Sequence, residues 1–234
     1  MMDFIYTIIK LIKSKAYLIH FETNGFVLLM VLSLVFGYIA GRYRYRSRAA
    51  INHGEARVRQ LLTTYCQNRD AHVLNNITLR LENSSTTQID HVLITTKGIF
   101  VIETKHYNWW IFANYKSPKW TQHTYMEKFT FQNPILQNYK HVKAIQKLFD
   151  FINPQYIHNI VVFSGAGIFK TIKPNNVFYI EELLPAIEQY SEDVLSLNRI
   201  QFCVGRLEYM RLELTQKTDV EHHAYLAQRF RQSE

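Results

Sequence analysis

Residues 88–105 read Gln88-Ile-Asp-His-Val-Leu-Ile-Thr-Thr-Lys-Gly-Ile-Phe-Val-Ile-Glu-Thr-Lys105, two apolar runs of strand length on either side of Thr96-Lys-Gly98. Ile89–Thr95 and Ile99–Thr104 are rich in the β-branched and aromatic residues that fill strands, and the glycine can supply the positive φ of a tight hairpin turn. Side chains alternate along a strand, so Ile99, Val101, Glu103 and Lys105 share one face while Phe100, Ile102 and Thr104 take the other. A carboxylate and an ammonium two residues apart, at the end of so apolar a strand, depart from the usual alternation of a half-solvated sheet. The hairpin also turns Asp90 back towards Glu103, so two carboxylates and one ammonium converge. Two carboxylates brought together repel unless a proton or a cation is shared between them. Oxygen ligands of this kind suit Mg2+ or Mn2+, which keep several waters and accept phosphate oxygens. A lysine beside them can orient or help deprotonate an attacking water and offset charge on a phosphoryl group. A structural Glu103–Lys105 pair, with Asp90 serving the turn side, accounts for the same spacing.

Working outward, Gly54-Glu-Ala-Arg-Val-Arg-Gln-Leu-Leu62 opens a helix with Val58, Leu61, Leu62 and Tyr65 at helical spacing. Glu55 falls on that apolar stripe, either to complement the helix dipole or as a third acidic ligand. A strand is expected over His72–Leu81. The stretch from Tyr107 to Phe131 is aromatic and irregular, a second hairpin or a loop over the domain. Asn133-Pro134 places a cap and an N1 proline at the start of a helix running to about Phe149. On it Gln137 shares a stripe with His141, Ala144 and Leu148, so a polar side chain faces inward, as a satisfied core glutamine or as a phosphate or water contact. Strands are expected at Ile160–Phe163 and Val177–Ile180, and Gly165-Ala-Gly167 reads as a turn. From Glu181 the chain is helical with few breakers to near Arg231. The order is that of a mixed α/β domain with an antiparallel hairpin at its centre.

The chain has 234 residues, enough for one full domain plus extra segments. Cys66 and Cys203 fit neither a disulfide framework nor a metal-thiolate spacing, which points to a reducing compartment. Of the formal charge of +8, residues 1–52 hold +5, from seven Lys/Arg against Asp3 and Glu22, leaving +3 for the rest. High basicity is therefore no argument for nucleic acid by itself. Gly25 to Gly41 is uncharged throughout, and 17 helical residues span ~25 Å, the short end of a membrane crossing. Arg42, Arg44, Arg46 and Arg48 follow at once and should stay cytoplasmic. The expectation is a single-pass anchor in the inner (cytoplasmic) membrane, with the C-terminal part in the cytoplasm. Residues 1–24 read as an interfacial segment and 42–52 as a basic juxtamembrane linker. The ten histidines are scattered, and His222-His223 has no partner cluster, so zinc is disfavoured. Trp109, Trp110 and Trp120 read as core or cover packing, with base stacking as the sharper alternative.

Gly54-Glu55, Thr87-Gln-Ile-Asp-His91, Gly98-Ile-Phe-Val-Ile-Glu-Thr-Lys105, and Asn133-Pro-Ile-Leu-Gln-Asn138 with His141 follow in an order that resembles the nuclease-related (NERD) domain family, grouped with the PD-(D/E)xK nuclease superfamily. The resemblance covers residues 53 to 185, through Tyr179-Ile-Glu-Glu-Leu-Leu-Pro185, and departs from the family at His106-Tyr-Asn-Trp-Trp110, where its glycine after the lysine motif is not evident. It implies a restriction-endonuclease-like mixed sheet, with a central β-hairpin flanked by helices, in a nuclease-like domain over 53–190. A C-terminal helical extension over 191–234 lies beyond it. It further implies that Asp90 and Glu103, with Glu55, bind Mg2+ or Mn2+, that Lys105 is the catalytic lysine, and that Gln137 assists. The expected function is a membrane-anchored metal-dependent nuclease that hydrolyses phosphodiester bonds, DNA ahead of RNA. The alternatives are a non-catalytic nucleic-acid-binding module on the same fold and a membrane-tethered interaction protein.

Overall fold

The computed structural model describes Met30 and residues 32–38, 53–81 and 85–212. The chain divides into two compact units, Met1–Ala50 and Ile51–Glu234. In the first, residues 32–38 are helical and leave Leu32, Leu34, Val35 and Phe36 exposed. The remainder of the expected interfacial, membrane and linker segments lies outside the described residues, as does the tail from 213. Among the described residues no helix is long and apolar enough to cross a membrane, so the expected span is not found.

The second unit is built on the hairpin. β1 (Ala71–Arg80), β2 (Thr86–Thr95) and β3 (Gly98–Lys105) form an antiparallel meander. Thr95 pairs with Gly98, so the loop is the two residues Thr96 and Lys97, and Gly98 begins the next strand with φ of 138°. An added Cβ there would lie 2.8 Å from the Tyr156 carbonyl oxygen, so glycine is required both by conformation and by space. β3 pairs in parallel with β7 (Ile157–Phe163), and β7 with β9 (Val177–Tyr179), giving the order β1-β2-β3-β7-β9.

The crossover from β3 to β7 contains more than the expected helix. It carries β4 (Trp109–Phe112), β5 (Lys119–His123) and β6 (Lys128–Gln132) before α2 (Pro134–Leu148). With β8 (Gly167–Phe169) these form a second sheet in the order β6-β5-β4-β8, so Gly167 opens a strand where a turn was expected. The aromatic stretch is thus regular structure. Its strands are only four or five residues long and carry large side chains on both faces, which erases the alternation that would have announced them.

Helices cover both faces of the larger sheet. On one, α1 (residues 53–66) sets Val58, Leu62 and Tyr65 against Leu93, Phe100 and Ile102, together with Leu183 and Ile187 of α3 (Ile180–Glu188). On the other, Val142, Ile145 and Phe149 of α2 meet Val92, Ile94, Ile99 and Val101. α4 (Leu197–Met210) adds Ile200, Cys203 and Leu207 to that same core, so this part of the expected C-terminal extension is integral to the domain. The helical tail breaks at 189–196 without a glycine or proline. The chain there wraps the hairpin turn: the Val194 and Leu195 amides donate to the Thr96 carbonyl at 2.7 and 2.9 Å, and Lys97 pairs with Asp193 at 3.0 Å. Replacing Gly98 by alanine forces a strained φ and a backbone clash at this turn. It is expected to cost ~2–3 kcal/mol in chemical denaturation, with the slope unchanged.

Candidate active site

The larger sheet splits where the chemistry-bearing residues lie. The β2–β3 ladder stops at His91–Ile102, although β2 stays paired with β1 to Thr86 and β3 stays paired with β7 to Lys105. β2 therefore leaves β3 beyond His91, and the Asp90 side chain spans the gap: the Thr104 amide donates to its Oδ2 at 2.7 Å. The result is a notch with Asp90 on one wall and Glu103 on the other.

Glu103 is 2% exposed. Lys105 Nζ donates to its Oε1 at 2.6 Å and to Gln137 Oε1 at 3.0 Å. On the other side His141 Nε2 lies 3.3 Å from Glu103 Oε2, near enough to pair by charge but not aligned as a hydrogen bond. His141 Nδ1 in turn meets Thr87 Oγ1 at 2.7 Å. α2 is held over this cluster by Asn138, whose buried amide nitrogen donates to the Val101 and Ile160 carbonyls at 2.8 and 3.0 Å, across the β3–β7 pair. Its first turn is capped by Asn133, which accepts from the Ile135 amide at 3.0 Å.

The electrostatics separate the two carboxyls. Burial pushes the Glu103 carboxyl up, but Lys105 and His141 outweigh it and hold it down at about 2. Asp90 is raised well above the usual carboxylate range by burial and by the Glu103 and Glu55 carboxylates, which Lys105 and the Thr104 amide only partly oppose. Burial by itself would lower the Lys105 ammonium, yet Glu103 and Asp90 hold it above its ordinary value. Lys105 therefore rests as a cation and a proton donor. The waiting-base role that the sequence left open does not suit it.

Glu55 enters from the start of α1. Gly54 makes this possible, because a Cβ there would fall 2.6 Å from His106 Cβ and 2.6 Å from Ser164 Oγ; the helix start lies directly on the ends of β3 and β7. Glu55 is half-buried and raised by burial and by Glu103, against Lys105 and Arg59. Asp90, Glu103, Lys105 and Gln137 thus sit at one place, with Glu55 within electrostatic reach. His141 and Thr87 complete the cluster and were not among the expected site residues. Their signal was the position of His141 one turn after Gln137 on the same inward stripe.

Among the described residues no three or more His, Cys, Asp or Glu side chains form a ready metal cage. The cluster fits a divalent ion of another kind, one held by one or two carboxylates with waters and substrate oxygens filling the remaining positions. Glu103 Oε2 has no aligned donor, and the proton favoured on Asp90 is what a cation would displace.

The nuclease-related domain model matches residues 51–164, which hold every side chain of this cluster. An uncharacterised protein of Bacillus anthracis is 34% identical over 183 residues, 76% of this chain and 84% of that one. The chain belongs to the nuclease-related domain family. Membership suggests a nuclease-like function, nucleic-acid binding and a divalent metal in general. No solved structure matches the chain. The matched residues end at Ser164, so β8, β9, α3 and α4 lie beyond them, and α3 and α4 close the cores of this chain.

Because its native carboxyl is raised, Asp90 holds its proton to higher pH in the folded chain than in the unfolded one. Its contribution to stability therefore falls as pH rises from the ordinary carboxyl range to the raised value. Asp90→Asn is expected to raise stability at pH 7 by about 1 kcal/mol, a few degrees in Tm. The gain should vanish below about pH 3, where Asp90 is protonated in both states. Thermal melts in EDTA over that range check it.

Proposed function

We propose that this protein is a nuclease of the PD-(D/E)xK type that hydrolyses phosphodiester bonds with Mg2+ or Mn2+, DNA ahead of RNA, and is tethered through residues 25–41 to the inner (cytoplasmic) membrane with its catalytic domain in the cytoplasm. One observation carries the reading: the buried Glu103–Lys105 pair lies beside Asp90, itself held by the Thr104 amide, in the notch where β2 leaves β3. Asp90 and Glu103 would hold the ion, with Glu55 beside them. The ion, when bound, supplies a polarised water and a Lewis acid for the phosphoryl oxygen. Lys105 is positioned by Glu103 and Gln137 and offers an ammonium to charge developing on the phosphoryl group and a proton to the leaving oxygen. His141, braced by Thr87, sets its Nε2 3.3 Å from the second oxygen of Glu103. The succession of α1, the β1–β3 meander, α2 and β7 supports the restriction-endonuclease-like core that the sequence motifs imply.

The full-length chain is expected to cleave DNA with Mg2+ or Mn2+ and not in EDTA. Glu103→Gln, which keeps the shape and an acceptor for Lys105, and Lys105→Ala should each lose at least ~100-fold. Equal activity in both variants would sink the assignment. A second reading, a non-catalytic nucleic-acid-binding module, is favoured by Lys105 itself occupying one Glu103 oxygen and by the lack of a three-ligand cage among the described residues. Nucleic-acid binding with no cleavage in any divalent metal would establish it. The anchor rests on the uncharged run 25–41, the arginines that follow, and the uncovered Leu32, Leu34, Val35 and Phe36. The chain should stay with membranes through a carbonate wash and be released when residues 1–41 are removed.

A further inference from the structure

The second sheet is a separate element from the catalytic notch, and its two faces differ sharply. The inward face buries Ile111 and Trp120 against Val161 and Phe163. On the outward face Trp110, His123 and Lys128 form one rung, and Phe112, Thr121 and Thr130 the next. Trp110 is 49% exposed, with Lys170 Nζ 4.9 Å from its ring centre. Phe112 and His123 lie 4.6 Å apart with their rings tilted by 45°. Beside them an open cleft of about 1270 Å3 is lined by Phe112, Tyr115, Lys119 and Lys173.

Charge singles out the same face. Residues 107–132 and 165–176, which contain the second sheet, hold five lysines and one glutamate, while the rest of 51–212 holds twelve Lys/Arg and twelve Asp/Glu. All of the net positive charge of the described domain therefore belongs to this sheet and its loops. The modest overall charge conceals a basic aromatic surface on an otherwise neutral body.

We propose that the outward face of the second sheet binds single-stranded nucleic acid, stacking bases on Trp110 and Phe112 and holding phosphates with Lys119, Lys128 and Lys170. Exposed rings interleaved with ammonium groups match the two parts of an unpaired strand, the π-face of each base and the charge beside it, and any base can stack. A duplex keeps its base faces covered by its own stack, so the rings would have nothing to meet. The sheet also follows the notch closely along the chain. β3 carries Lys105 and β4 begins four residues later at Trp109, no more than ~14 Å of chain. Gln122 Nε2 donates to the Asn108 carbonyl at 2.6 Å, tying β5 to that link. The inference builds on the reading of the notch as a nuclease and gives it a preferred substrate form.

The test measures binding without cleavage. The full-length chain in non-ionic detergent and EDTA is titrated into a labelled single-stranded oligonucleotide, into the matching duplex, and into phosphatidylglycerol vesicles. Single strand should bind tighter than duplex, with quenching of tryptophan fluorescence. Trp110→Ala and Lys170→Ala should each weaken it by about ten-fold, with unchanged melting temperatures. Unchanged binding in both variants, preference for the duplex, or Trp110-dependent binding to the vesicles alone would overturn the proposal. Glu103→Gln separates the two readings, since it should abolish cleavage and leave strand binding intact. Trp110-dependent binding in a protein that never cleaves would defeat the nuclease assignment and uphold the sheet surface. Cleavage with no loss of binding in the sheet variants would do the reverse.

Discussion

A carboxylate buried at the end of the central strand is the constraint to which the surrounding structure answers. Moving an ion of this size out of water costs several kcal/mol even after the protein relaxes, so Glu103 must be surrounded by compensating charge. Lys105 supplies it from the same strand, His141 of α2 closes over the second oxygen, and Gln137 and Thr87 hold those two in place. α2 must then lie across β3 and β7 at one height, which the Asn138 amide secures by bonding to a carbonyl of each strand. Once Glu103 keeps its charge, Asp90 beside it is driven towards its neutral form, and β2 turns away from β3 where the two meet.

The two sheets divide the work. The larger is apolar on both faces, packed by α1 and α3 on one side and α2 and α4 on the other, and gives the site a rigid base. The smaller rests on it through Ile111, Trp120 and Phe163 and turns a basic aromatic face outward. α4 lies beyond the residues that the family model matches, yet it completes the core beneath the hairpin, and the segment before it grips the hairpin turn.

Much of this was legible beforehand, for identifiable reasons. The hairpin strands are long and β-rich, Asn133-Pro134 is a local helix start, and Gly98 supplies a positive φ at the turn. Those signals act within a few residues and survive any tertiary context. A second hairpin was one of two readings of the aromatic stretch; its third strand and the pairing with β8 were missed because strands so short have no clean alternation. The break at 189–196 was missed because contacts to Thr96 and Lys97, nearly a hundred residues away, impose it. His141 was read as part of a stripe, since helical spacing shows which way a side chain faces and not what it meets.

The sequence by itself determined the hairpin, the inward direction of Glu103 and Lys105, and the ordered motifs of the family, because each depends on local periodicity or residue chemistry. Only the tertiary structure decided which carboxyl keeps its charge, that Lys105 rests as a cation between Glu103 and Gln137, and that the excess lysines gather on one sheet. Those properties depend on burial and on distances between residues far apart in the chain, and no spacing along a strand or helix contains them.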